Sequence, residues 1–122
     1  MTQEYGKVLE KEEAEKEFGL VTFSLEVKSS EVRNLISESP GNIMFKFVDN
    51  NLIVLNKNRQ TIYGTFTAKS SDVFRNISTT VLSDLLVRGG QETTQFQMRG
   101  EIFSIENGLT VLEMTQPCPP FC

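Results

Sequence analysis

A pattern running from Phe23 to about Gly64 recurs fifty residues further on, from Val73 to Met114: strand, hydroxyl-bearing turn, short helix, three strands. In the first copy Val27 ends a strand, Ser29 and Ser30 offer helix caps, and Leu35 and Ile36 face a core. Ile77, Thr79, Thr80, Leu85 and Leu86 hold the corresponding places in the second. A unit of this kind cannot bury its apolar face alone, so two copies are expected to share one core. The expected fold class is α+β: an antiparallel sheet with two or three short helices, built as two tandem β-α-β-β-β units.

Turn chemistry and alternation place the elements. Leu9 to Phe18 reads as a short helix closed by Gly19, and Leu20 to Val27 as a strand with Val21, Phe23, Leu25 and Val27 on one face. Ser30 to Ser37 reads as a helix stopped by Pro40-Gly41. Strands are expected at Ile43–Val48, Leu52–Asn56 and Thr61–Ala68, with Ile43, Phe45, Phe47, Ile62 and Phe66 sharing a face. Asp49-Asn50-Asn51 and Lys57-Asn58-Arg59 tolerate the left-handed backbone that tight hairpins demand. The offset of fifty then favours a strand over Val73–Ile77 and a helix over Val81–Arg88, rather than one long helix. Strands near Thr93–Arg99, Ile102–Glu106 and Leu109–Met114 follow, with a bulge or bend at Gly100 and a hairpin at Asn107-Gly108. Gln91, Thr93, Gln95 and Gln97 make one strand face polar, suited to water or to a polar partner.

The chain divides into an acidic segment (1–19), a single α+β domain (20–115) and a Pro/Cys tail (116–122). Six glutamates against three lysines between Glu4 and Glu17 read as a solvated helix face. A net charge of −4 with no basic stripe argues against nucleic acid as a partner. No apolar run suits a membrane span or a secretory signal, so a cytoplasmic setting without membrane contact is expected.

The absence of histidine removes Ser-His and Cys-His nucleophiles, imidazole zinc sites and an imidazole base. No phosphate-loop or dinucleotide glycine motif is present, and no cofactor is implied. Glu92, Glu101, Glu106, Glu113 and Asp84 are the carboxylates available for acid/base work in the second half, and surface positions are expected for all five. Tyr5 and Tyr63 read as packing residues.

The doubled element order from about Leu20 to Met114 resembles the topology of vicinal oxygen chelate proteins, the glyoxalase and bleomycin-resistance group, whose paired modules build a cupped site. That resemblance implies a cupped site, and a small-ligand binder or enzyme with a cup between the two repeats predicts a pocket lined by Phe45, Phe47, Phe66, Phe96 or Phe103. The metal-binding histidines of the enzymatic members have no counterpart here, so no metal site carries over. The strand-helix-strand units of sliding DNA clamps offer a second resemblance, without their basic inner surface.

Cys118 and Cys122 close a tail whose three prolines argue against regular structure. Their Cys-x-x-x-Cys spacing leaves open a mobile reduced end, a disulfide or cross-link, and an intersubunit metal site with four thiolates from two chains. The functional expectation is a non-catalytic interaction or assembly module, with a protein partner or self-association, acting through a sheet edge, the Gln/Thr strand or the tail. The alternatives are the small-ligand cup and thiol or metal chemistry at Cys118 and Cys122.

Overall fold

Several strands stop where the backbone turns left-handed, at Asp49, Gly64, Gly100, Gly108 and Met114. In the computed structural model, which describes residues 4–119, three helices and ten antiparallel strands build two five-stranded sheets. The elements are β1 (Lys7–Glu10), α1 (Lys11–Phe18), β2 (Phe23–Lys28), α2 (Ser29–Glu38), β3 (Asn42–Val48), β4 (Asn51–Leu55) and β5 (Thr61–Tyr63). They are followed by β6 (Phe74–Ser78), α3 (Thr79–Gly89), β7 (Thr93–Arg99), β8 (Ile102–Asn107), β9 (Thr110–Glu113) and β10 (Gln116–Cys118).

One sheet has the order β1-β9-β8-β7-β2 and the other β10-β6-β3-β4-β5. β2 therefore joins the sheet made by β7, β8 and β9, and β6 joins β3, β4 and β5. Neither run of strands closes a sheet alone. The inner faces of both sheets and the apolar sides of α2 and α3 enclose the main core, which includes Val32, Leu35, Ile43, Phe45, Ile77, Leu82, Leu85, Phe96, Ile105 and Leu112. Phe45 of one sheet stacks with Phe96 and Phe103 of the other at centroid distances of 5.1 and 5.9 Å.

The differences from the sequence reading have local causes. Leu9 and Glu10 belong to a strand, because β1 pairs with β9 in the register Leu9↔Val111, and α1 begins only at Lys11. Gly64, held at φ 85° with Ile53 and the Leu52 carbonyl against it, ends β5 at Tyr63. Phe66 consequently leaves the main core and packs against Phe74 in a second cluster with Met44, Ile53, Leu55 and Cys118. Gly100 is a turn residue at φ 63°, not a bulge, since Arg99 and Ile102 pair across it. Gln116–Cys118 forms an edge strand on β6 despite Pro117, as edges tolerate a residue without N–H. Ser29 does not cap α2 with its side chain, its Oγ donating to the Gln91 carbonyl, and the residue that precedes α3 is Ser78 rather than Thr79 or Thr80, its Oγ accepting the Tyr5 N–H.

The Asn107-Gly108 hairpin forms one residue later than its signal. Asn107 is the last residue of β8, paired with Thr110, and Gly108-Leu109 make the loop. Its buried side chain is a junction. Nδ2 lies 3.0–3.2 Å from Thr94 Oγ1, Ser29 Oγ and Thr93 O, and Oδ1 accepts the Gln91 N–H at 2.9 Å. Gly89 closes α3 directly against it, where any Cβ would collide with the Asn107 side chain and carbonyl. Asn107→Ala is expected to cost about 3 kcal/mol, because it strips a buried network that joins α2, β7 and β8. Urea unfolding with an unchanged m-value checks this.

Candidate functional site

The outer faces of the two sheets are covered differently. On the β3-β4-β6 side the buried residues are mainly apolar, Met44, Ile53, Leu55 and Phe74, with the buried amide of Asn76 bonded to Asn42 at 2.8 Å. On the other sheet, alternation sends Gln95, Gln97 and Arg99 of β7, Ser104 and Glu106 of β8, and Glu113 of β9 outward, where α1 folds back over them. The registers Gln97↔Ser104 and Gln95↔Glu106 align these polar side chains in rows. Gln97, Arg99, Ser104 and Glu113 are all buried.

Arg99 is the fixed point of this layer. Its Nε donates to Glu113 Oε2 at 2.8 Å in a fully buried ion pair, and its Nη1 donates to the Gly19 carbonyl at 2.7 Å, tying down the end of α1. Lys11 at the start of α1 faces Glu106 at 3.7 Å, and its backbone N–H donates to the Leu109 carbonyl. Burial pushes the Glu113 carboxyl up to about 6, and the favourable hydrogen bond and charge of Arg99, with help from Ser104, offset only part of that.

Beside this layer lies a cleft of about 450 Å³ lined by Lys11, Glu15, Leu20, Val21, Ser24, Gln95, Gln97 and Glu106. Gln97 Nε2 and Glu106 Oε1 are buried there without a hydrogen-bond partner, as is Arg99 Nη2 in the layer behind. Of the polar strand face expected to meet water or a polar partner, Gln91 is exposed, Thr93 and Gln95 are half-buried, and Gln97 is covered at 2% exposure.

The strand ends of the same sheet matter too. β2 pairs with β7 on one side, and among the described residues its other edge pairs with no strand. The Ser29 N–H donates to the Glu92 carbonyl, and bonded pairs alternate along an antiparallel ladder, so the backbone groups of Ser24, Glu26 and Lys28 point to the open edge. A second cleft of about 450 Å³, lined by Leu25, Leu52, Tyr63 and Asp49 among others, opens on the inner side of β2.

The carboxylates expected at the surface divide. Glu92 and Glu101 are exposed, and Asp84 is half-buried and pairs with Arg88 at 3.0 Å. Glu106 is half-buried and Glu113 completely buried, which corrects the surface expectation: α1 closes over their face. Tyr5 and Tyr63 are half-buried, Tyr63 against the main core. Phe45, Phe96 and Phe103 fill the core and stack on one another, Phe47 packs against it, and Phe66 lies in the other cluster, so these rings line no common cup. Cys118 is fully buried and disulfide-bonded, with Arg59 Nη1 3.3 Å from Sγ and 3.2 Å from its carbonyl oxygen; Cys122 lies outside the described residues. Among the described residues no three His, Cys, Asp or Glu side chains gather as metal ligands. None of their helices is long and apolar enough to cross a membrane.

Sequence reasoning passed over Gln97, Arg99 and Glu113 as a group. Their signal was an alternation of polar residues on three adjacent strands, and it becomes legible only once α1 is known to cover that face. No protein-family model, curated protein or solved structure matches the chain.

Two measurements test the layer. A carboxyl whose folded value lies above its unfolded value binds its proton more tightly when folded. Lowering the pH from neutrality through about 6 therefore adds stability, complete below the ordinary value of 4.5. The gain is about 2 kcal/mol for a shift of this size, read as a rise in thermal midpoint between pH 7.5 and 4.5 that Glu113→Gln abolishes. Arg99→Met alone is expected to cost about 3–5 kcal/mol by stranding a buried carboxylate, while Arg99→Met with Glu113→Leu returns to near the parent stability. Chemical denaturation of the two variants gives both values.

Proposed function

We propose that the protein is a non-catalytic interaction module that receives an extended segment of another polypeptide on the open edge of β2. The observation that carries this reading is the edge itself. The other three sheet edges, β1, β5 and β10, are four, three and three residues long, whereas β2 runs for six. Proteins keep edge strands short or blunted because unpaired N–H and C=O groups recruit another strand. β2 leaves the backbone of Ser24, Glu26 and Lys28 outward, and all three residues are exposed. Side chains of an added strand alternate between faces, and a cleft is present on each face: one beside Ser24, the other beside Leu25. Main-chain bonds with alternating side-chain clefts are the arrangement by which strand addition combines affinity with selectivity. The charged side chains of Glu26 and Lys28 restrain indiscriminate pairing at the same edge.

Glu26→Pro tests the reading, since it removes one outward N–H and leaves the bonds to β7 in place. Affinity capture with parent and variant, followed by reconstitution from purified components, is expected to give a partner whose affinity falls at least about tenfold with the variant, the equivalent of one lost charge-free backbone bond. The thermal midpoint should stay within a few degrees of the parent. Unchanged affinity for every reconstituted partner would remove β2 as the docking edge. A dimer in sedimentation that Glu26→Pro dissolves would make the occupant a second copy of the chain.

A further inference from the structure

The cleft under α1 carries a chemical requirement that strand docking does not address. Gln97 Nε2 is a donor without an acceptor, and Glu106 Oε1 is an acceptor without a donor. Both residues line the same cleft. They stand diagonally on neighbouring strands, since Gln97 pairs with Ser104 and Glu106 with Gln95. Diagonal neighbours are about 7–8 Å apart, so the tips of two long side chains come within reach of one small group. The corresponding face of the other sheet is closed mainly with apolar side chains, and its buried amide, Asn76 opposite Met44, accepts from Asn42 Nδ2 at 2.8 Å, a partner within the fold.

We infer that this cleft is a binding site for a primary carboxamide, carried either by a small molecule or by an asparagine or glutamine side chain of a partner. A carboxamide presents an acceptor oxygen and a donor NH₂ on one carbon, and so answers Gln97 and Glu106 together. A carboxylate meets Gln97 but sets its charge against Glu106 and Glu15. An ammonium meets Glu106 but leaves Gln97 Nε2 buried and unpaired, and it competes with Lys11, already 3.7 Å from Glu106. The exposed side chains of Leu20 and Val21 form an apolar wall for the carbon chain that carries the amide. The other amide on this face is committed: Gln95 accepts from Ser24 Oγ at 2.9 Å and donates to Glu26 Oε1 at 3.0 Å. Gln97 is the amide left to read a ligand.

The test is nuclear magnetic resonance of the full chain, with the side-chain NH₂ of Gln97 assigned by its disappearance in Gln97→Leu. Propionamide, propionate and propylammonium, equal in size, are titrated separately. Propionamide is expected to shift the Gln97 NH₂ signals and to bind at least about tenfold more tightly than either ion, the discrimination expected when one buried polar group would otherwise stay unpaired. A second arm compares propionamide with the capped tripeptides Ala-Gln-Ala and Ala-Glu-Ala. Tighter binding of the Gln peptide than of both others identifies a partner's side chain as the source, and tighter binding of propionamide identifies a free small molecule. Equal responses to the three small probes, or no response at Gln97 to propionamide and the Gln peptide, would overturn the assignment. Where Gln97→Leu fails to fold, Gln97→Glu removes the same NH₂ signals and supplies the assignment. Because Glu26→Pro leaves these side chains in place, the amide response should persist in that variant, which separates this site from the β2 edge.

Discussion

The interlock of Phe45 with Phe96 and Phe103 is the contact on which the remaining structure depends. Those rings come from different sheets, and all three are buried or nearly so. Each sheet contains a strand from the far half of the chain: β2 sits with β7–β9, and β6 with β3–β5. Separating the halves would therefore expose the aromatic faces and also break three ladders, β1 with β9, β2 with β7 and β3 with β6. Burying a side chain of this kind contributes about 1.5–3 kcal/mol. The exchange of strands makes that gain available only to the complete chain, so core formation and sheet completion are one event.

With the inner faces committed, the outer faces record what is left to vary. One is closed mainly by apolar residues and the buried Cys118, its buried Asn76 bonded to Asn42. The other holds an Arg-Glu pair that apolar side chains could replace at equal or better stability. Arg99 recovers part of its desolvation by fixing the Gly19 carbonyl, which sets where α1 ends. Gln97 Nε2 gains nothing comparable from the fold, and Glu106 places only one of its two oxygens, on Lys11. A layer whose members serve the fold unequally is where a requirement other than stability is expected to be acting.

The sequence made the sheet strands most legible where strong turn residues bounded them. Asp49 and Asn50, both at positive φ, close β3 and β4 as their composition suggested, and the boundaries of β7 are those that alternation predicts. The helix after Ile77 was legible because Leu82, Leu85 and Leu86 recur at helical spacing, and all three are buried. What was hidden was long-range. Phe66 alternates correctly with Ile62, yet Gly64 turns the chain before that register can continue. Glu113 looks like the solvent-facing end of a strand, and only the return of α1 across β9 buries it. Strand exchange between the halves leaves no local mark at all, because either partner satisfies the same alternation.

The covering element also sets how accessible the polar layer is. α1 has eight residues, with Ala14 as its buried residue, and a helix that short is marginal in isolation. Its attachments are few and polar: Arg99 to Gly19, Lys11 to Glu106, and the Lys11 N–H to Leu109. The opposite face is held by Phe66 packed against Phe74 and by Arg59, which reaches the Cys118, Lys69 and Asp72 carbonyls at once. Local opening follows the regions with least apolar burial. α1 should therefore lift at lower cost than any element of the core, and the groups it uncovers first are those whose hydrogen bonds the fold has left unmade.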